Sequence, residues 1–174
     1  MRPVNIVLSG SFCCPIDLVD FAKTARCVKY NPKRFCGAIW KELGTCCLLF
    51  GTGRFVLCGV KSMDVADDIA SKYSRLLDAL GYTTELSPLK VCTVTAVHDF
   101  ERRLHLDRLH MFFAPSCDYT PELFPALMIR RANKNASVFH SGKVIFTGGK
   151  SFEDLIDFWS EITVAIALTH HEDY

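Results

Sequence analysis

The chain has 174 residues, 49% of them apolar and 22% charged, with a formal net charge of +1. This is enough for one good core or two small fused ones, and it excludes a disordered or strongly polyionic chain. Any affinity for a polyanion must therefore come from where the charges sit, not from their sum. No segment approaches the roughly 18 apolar residues of a membrane span. The opening "MRPVNIVLSGSF" is too short and too polar in its apolar run for a signal peptide.

In chain order, "VNIVLSG" reads as a strand and "PIDLVDFAKTA" as a short helix. "RFCGAIWK", "CCLLF" and "RFVLCGV" follow as strands of an antiparallel meander, punctuated by "ELGT" and "GTG". "SMDVADDIASKYSRLLDALGY" is a long helix, with Val65, Ile69, Tyr73, Leu76, Leu77 and Leu80 at helical spacing, Ser62 as its cap and Gly81 as its stop. The grammar then starts again. "KVCTVTAV" is a strand, "LHLDRLHMFF" a helix, and "LFPALMIRR", "ASVFH" and "KVIFTGG" a second meander. The last helix, "SFEDLIDFWSEITVAIAL", opens on a capping-box-like pair, Ser151 and Asp154. Its buried stripe would be Leu155, Phe158, Trp159, Ile162 and Ile166. The "TG" and "SG" tips suit tight two-residue hairpins with positive φ.

Sliding the chain on itself by 89 positions shows why the grammar repeats. Phe35 falls on Phe124, Phe50 on Phe139, Gly53 on Gly142, Gly59 on Gly148, Lys61 on Lys150 and Ser62 on Ser151, without a gap. A period this long marks a duplicated half-domain, 1–86 and 87–174. The expected fold class is α+β: one curved antiparallel sheet of about ten strands, helices on one face, the other face open. The strand regions are basic, with Lys33, Arg34, Lys41, Arg54 and Lys61 in the first half and Arg130, Arg131, Lys134, Lys143 and Lys150 in the second. The last helix has Glu153, Asp154, Asp157 and Glu161 and no basic residue. That polarity is the footprint of a polyanion binder.

Catalytic and metal chemistry find no candidates. "GGKS" resembles the end of a phosphate-binding loop, but Val144 stands where its first glycine is required. His98, His105 and His110 lack metal-site spacing, and His170-His171 reads as solvated. No Ser or Cys sits in a nucleophile elbow. The nine cysteines include no C-x-x-C and read as reduced, mostly buried thiols of an intracellular protein.

"YNPKRF" (Tyr30–Phe35), "PELFP" (Pro121–Pro125) and the paired "F-x-x-G-[RK]" and "G-x-KS" phrases resemble the core domain of the TATA-box-binding protein family, over about Val4 to Leu168. The resemblance implies a saddle whose concave sheet enters the minor groove of A/T-rich double-stranded DNA, with no cofactor, metal or enzymatic activity. A single Phe in a strand reads as core, but Phe35, Phe50, Phe124 and Phe139, at duplicated positions, read as wedges between base steps. The implied groove floor is Asn5, Val7, Leu48, Val56 and Cys58 in the first half and Thr93, Thr95, Ser137, Ile145 and Thr147 in the second. Thr93 stands where the family has Asn, Thr95 where it has an apolar residue, Cys58 where Thr is usual and Ser137 where Leu is usual. Arg34, Lys41, Arg54, Lys61, Arg130, Lys143 and Lys150 would meet phosphates.

Pro121, Glu122 and Leu123 would dock a TFIIB-type factor, with Thr120 replacing an acidic residue, and a TFIIA-type factor is a further implied partner. The first long helix, strongly basic in eukaryotic members, is here acidic through Asp64, Asp67, Asp68 and Asp78. The implied state is a monomer on DNA, with a weak homodimer without it, in the nucleus or, for a viral relative, a viral replication compartment. The implied function is DNA bending that nucleates pre-initiation complexes. The alternative is an interaction protein with weak DNA binding that recruits or sequesters TFIIB-type factors. An enzyme using this fold lacks a candidate site.

Overall fold

The computed structural model describes residues 1–169, which divide into two compact units: Asn5–Cys92, and Met1–Val4 with Thr93 onward. The first holds most of β1 (Arg2–Ser11), then α1 (Leu18–Thr24), β2 (Val28–Lys29), β3 (Ala38–Glu42), β4 (Thr45–Leu49), β5 (Arg54–Val60) and α2 (Ala66–Ala79). The second holds most of β6 (Lys90–Asp99), then α3 (Leu106–Phe113), β7 (Cys117–Asp118), β8 (Ala126–Arg131), β9 (Lys134–Phe139), β10 (Lys143–Gly149) and α4 (Phe152–Thr169). Strand order is β2-β3-β4-β5-β1 in the first and β7-β8-β9-β10-β6 in the second, so the two topologies match. The fold class is α+β with ten strands, as expected; β2 and β7, two residues each, carry no sequence signal of their own.

Alternation assigns each strand an inner face. Ala38 and Trp40 on β3, Cys47 and Leu49 on β4, and Phe55 and Leu57 on β5 are buried. Trp40 meets Phe21 of α1 and Tyr73 of α2 edge-on, with ring centroids 5.0 and 4.7 Å apart. The Tyr73 hydroxyl donates to the Glu42 carbonyl at 2.9 Å, accepts from the Glu42 N–H at 3.2 Å and meets the Thr45 hydroxyl at 3.0 Å. Burial pushes this phenol up to about 12. One side chain thus fixes α2 over the β3–β4 hairpin.

The buried stripe of α2 is Ala66, Ala70, Tyr73 and Leu77, whereas Val65, Leu76 and Leu80 of the predicted stripe are exposed. Two alanines, Ala66 and Ala70, are fully buried, while the larger Leu76 and Leu80 stay exposed. Hydrophobic spacing alone weights a Leu above an Ala and so rotates the inferred face. On α4 the buried set is Leu155, Phe158, Ile162, Ala165 and Ile166, with Trp159 only half-buried.

Helix ends follow their sequence signals with small shifts. Ser62 accepts from the Asp64 N–H and caps a 3₁₀ turn, Met63–Val65, that precedes α2. Gly81 ends α2 at φ +94°, its N–H on Asp78 and that of Tyr82 on Leu77, at 3.0 and 3.2 Å. Ser151 accepts from the Asp154 N–H at 3.1 Å, but the Asp154 carboxylate answers to the N–H of Lys150 rather than of Ser151.

The hairpins differ from expectation. "TG" and "SG" belong to three-residue loops, 51–53 and 140–142, closed by the Phe50 N–H on Arg54 in the first and returning the Gly142 N–H to Phe139 in the second. The two-residue loops are Leu43-Gly44 and Ala132-Asn133. Gly53 and Gly142, at φ +81° and +98°, lie against the carbonyls of Cys14 and Arg102, where an added Cβ would stand 2.0 and 2.2 Å from the oxygen. Gly53→Ala and Gly142→Ala should each cost on the order of 3 kcal/mol in urea unfolding. Gly81→Ala, equally left-handed but in open space, should cost only about 1 kcal/mol.

Asp154 also generates a pH prediction. Its carboxyl is held below the usual aspartate range by a hydrogen bond from Lys134 and by the Lys150 N–H. A depressed folded value means the contact stabilises fully above the unfolded aspartate value and is lost as pH falls through the folded one. Asp154→Asn should therefore melt below the parent at neutral pH, and the gap should close well below the ordinary value of about 3.9.

Candidate nucleic-acid interface

Opposite the helix-packed face, each unit presents a second face of half-exposed side chains. In the first unit Ile39, Leu48, Val56 and Ser9 stand in one cross-strand row. In the second the row is Met128, Ser137, Ile145 and Val97. Alongside run Lys41, Cys46 and Cys58, matched by Arg130, Asn135 and Thr147. Every predicted floor residue (Asn5, Val7, Leu48, Val56, Cys58, Thr93, Thr95, Ser137, Ile145 and Thr147) is half-exposed. Sequence reasoning missed Ile39, Ser9, Cys46, Met128, Val97 and Asn135. Period-2 alternation from the residues already named, carried across by the repeat offset, would have found them.

Two floor residues have their polar atoms committed. Asn5 accepts from the Gly59 N–H at 2.8 Å through its side-chain oxygen. Gly59, at φ +91°, lies where β5 and β1 shift register, so Asn5 spans a bulge and keeps both amide hydrogens for other partners. Ser137 donates its hydroxyl to the Met128 sulfur at 3.2 Å. Its polarity is thereby turned along the sheet.

The four Phe residues form two matched pairs. Phe35 and Phe50 have centroids 5.8 Å apart at 66°, and Phe124 and Phe139 6.1 Å apart at 66°. Phe50 follows β4 and Phe139 ends β9, but Phe35 and Phe124 lie in turns before β3 and β8, not in strands as their runs suggested. The same turn is built twice. The N–H of Phe35 bonds the Asn31 carbonyl and that of Phe124 the Thr120 carbonyl, both at 3.0 Å. Beneath the first pair Gly37 leaves room for the rings; a Cβ there would stand 2.8 Å from Phe35 and 3.0 Å from Phe50.

Arg34, Lys41, Arg54, Lys61, Lys143 and Lys150 are exposed. Arg130 is exposed too but pairs with Asp118 at 2.8 Å, a surface contact worth little. Charge counting overstated the basic side of the second unit, because Arg131 and Lys134 turn to α4, bonding Glu161 and Asp154, each at 2.7 Å. Pro121, Glu122 and Leu123 lie in the turn that carries Phe124, and Leu123 is 85% exposed. The nine thiols are free, yet only Cys47 and Cys117 are buried, which overturns the expectation of mostly buried cysteines. Cys13, Cys27, Cys36 and Cys92 sit in turns or at a strand start, where β-rich composition does not imply cover. His170 and His171 lie outside the described residues.

The family model "Transcription factor TFIID (or TATA-binding protein, TBP)" matches residues 1–80 and 88–167. The chain is 35% identical over 167 residues to the TATA-box-binding protein-like 1 of Entamoeba histolytica, covering 92% of this chain and 77% of that one. It is 34% identical over 162 residues to the TATA-box-binding protein of Drosophila melanogaster, covering 91% of this chain but only 46% of the relative. Among solved structures, Methanococcus jannaschii TBP superposes with a TM-score of 0.83 at 27% identity, over 95% of this chain and 97% of that one.

The Asn5 contact can be tested without a ligand. Asn5→Ala leaves the Gly59 N–H without its protein acceptor and should cost about 1 kcal/mol in urea unfolding. Asn5→Asp keeps the acceptor and should recover most of that loss while removing both amide donors.

Proposed function

The chain belongs to the TATA-binding protein family, and we propose that it binds A/T-rich DNA in the minor groove, bends it, and nucleates assembly of a transcription pre-initiation complex. The observation that carries this reading is the matched pair of Phe pairs, alike in separation and angle in two separate units. Residues 1–86 and 87–174 are then two half-repeats, each bringing one wedge pair and one open sheet face.

The physics supports that use. Unstacking a base step costs a few kcal/mol, and an aromatic edge restores the lost apolar contact where a polar side chain would not. An apolar row such as Ile39, Leu48 and Val56 suits a groove floor without the guanine amino group, which gives A·T over G·C selectivity. The free amide hydrogens of Asn5 suit the adenine N3 and thymine O2 acceptors. Arg34, Lys41, Arg54, Lys61, Arg130, Lys143 and Lys150 are the phosphate contacts, with Arg130 exchanging Asp118 for DNA. If all seven engage, log K should fall with log salt with a slope of about −6.

Pro121, Glu122 and Leu123 are the dock for a TFIIB-type factor, Leu123 offering an apolar knob beside an acidic neighbour. A TFIIA-type factor is a further partner, and the site of action is the nucleus. Because α2 carries Asp64, Asp67, Asp68 and Asp78 around its start and end, regulators that require a basic helix there are not partners of this chain. Thr93 and Ser137, polar where the family has an amide and an aliphatic side chain, favour a second reading: an adaptor that binds DNA weakly and recruits or sequesters TFIIB-type factors.

A doubly labelled A/T-rich duplex, beside a G·C-rich control across a salt series, separates the two. The first reading expects a sharp bend on the A/T-rich duplex only. Phe124→Ala with Phe139→Ala should abolish the bend and weaken binding by on the order of 1–3 kcal/mol per ring. A parent chain that leaves the A/T-rich duplex straight, yet still retains a TFIIB-type factor, establishes the adaptor instead.

A further inference from the structure

The open face of the first unit holds two thiols side by side. Cys46 on β4 and Cys58 on β5 are direct cross-strand partners, both free and both half-exposed. They share the face of Lys41, with which Cys46 is paired. The Phe50 N–H bonds the Arg54 carbonyl at 2.9 Å. Counting back from that pair through alternate residues makes Cys46 and Cys58 a hydrogen-bonded pair, whose Cα atoms stand about 5.5 Å apart. Disulfides span roughly 4.4–6.8 Å between Cα atoms, so little backbone movement is needed. Cys47 is buried on the opposite face and cannot compete. The same register position in the second unit holds Asn135 and Thr147, so the sulfur chemistry belongs to one half only.

We propose that Cys46 and Cys58 form a dithiol site that closes to a cross-strand disulfide with a peroxide-class oxidant, and that bound duplex shields it. The shielding rests on the DNA-binding reading above; the dithiol itself does not. Burial and the neighbouring Cys46 and Cys92 push the Cys58 thiol up, which disfavours it as the first nucleophile, and the first attack is assigned to Cys46 with Cys58 resolving. The Cys46 thiolate attacks one peroxide oxygen, the O–O bond breaks, and the leaving hydroxide takes a proton to become water. Cys58 gives up its proton and attacks the resulting sulfenic sulfur, forming the S–S bond and expelling the sulfenic oxygen as a second water. Two thiols lose two hydrogens and two electrons, and one peroxide becomes two waters. A thiol reductant reverses the bond by exchange.

The test uses the full chain, reduced and then exposed to stoichiometric hydrogen peroxide, alkylated, and digested with trypsin without reduction. The expected product joins the peptide Glu42–Arg54 to Phe55–Lys61, fragments to place the bond on Cys46, and reverts with dithiothreitol. Cys46→Ser should abolish it. A bond from Cys58 to Cys92 in the peptide Val91–Arg102, or oxidation of other thiols with Cys46 and Cys58 left unlinked, overturns the proposal. With A/T-rich duplex at about 100 times its Kd, formation should slow about a hundredfold, in proportion to the free fraction. An unchanged rate while anisotropy reports the duplex bound overturns the shielding. A disulfide that forms in a chain showing no duplex binding at all sinks the DNA reading and leaves the dithiol standing.

Discussion

Everything the molecule offers to a partner depends on strand register. Each sheet has one face packed under helices and one half-exposed, and the side-chain period of two makes these faces strict alternatives. A slip of one residue on β4 would bring Cys46 and Leu48 under α2 and turn Cys47 and Leu49 out. Leu43-Gly44 and Ala132-Asn133 hold the β3–β4 and β8–β9 pairings through two-residue loops. The β4–β5 and β9–β10 loops reach back to the backbone at Cys14 and Arg102, where Gly53 and Gly142 make room. Where β5 meets β1 and β10 meets β6, one shift is tolerated in each unit, near Gly59 and Gly148 at φ +91° and +90°. In the first unit Asn5 fastens that shift.

Seen this way, the repeated phrase has two separate causes. Its glycines answer to backbone geometry: positive φ at Gly53 and Gly142, and again at Gly59 and Gly148. Its Phe residues answer to nothing in the core. Phe55 and Phe146, which do belong to the core, sit two and four residues into β5 and β10 and are fully or nearly fully buried. Phe35, Phe50 and Phe139 stay partly exposed and Phe124 is 47% exposed, with Phe35 and Phe124 held by a turn that is itself built twice. A folding argument alone would bury such rings, since each removes a large apolar area from water. Their position is therefore a cost to the isolated chain, and a partner surface that accepts aromatic edges would offset it.

Much of this was legible beforehand. The offset of 89 positions, the four helices and the strand order within each meander follow from periodicity and repetition, and the open-face placement of Leu48, Val56, Ser137 and Ile145 comes from the family resemblance. What was not legible shares one feature: it depends on tertiary neighbours. The rotation of α2 brings Ala66 and Ala70 into the buried stripe and leaves Leu76 and Leu80 out. Arg131 and Lys134 leave the basic face because Glu161 and Asp154 approach from α4. Phe35 and Phe124 leave their strands because Asn31 and Thr120 carbonyls close a turn ahead of them. The thiols stay exposed where the chain turns, a fact no residue count contains.

The two units also differ in the chemistry of their open faces. Their backbones share topology, one bulge and the β4–β5 and β9–β10 loop turns, where identical glycines stand, whereas the two-residue loops differ, Leu43-Gly44 against Ala132-Asn133. On the open face Asn5 stands against Thr93, Leu48 against Ser137, Cys46 against Asn135 and Cys58 against Thr147, while the buried face exchanges one apolar residue for another, as Trp40 for Ile129 and Phe55 for Val144. No steric demand of the fold forbids either member of the last three pairs, because each is half-exposed and each strand pairs regularly around it; Asn5 and Thr93 stand beside the register shift. The first face is accordingly richer in aliphatic and sulfur surface, the second in hydroxyl groups. Two halves of one architecture thus present chemically unequal surfaces, and a duplex that reads them has a reason to prefer one orientation over the other. Minor-groove readout is nearly blind to A·T against T·A, so under the proposed DNA-binding reading that inequality would supply the direction.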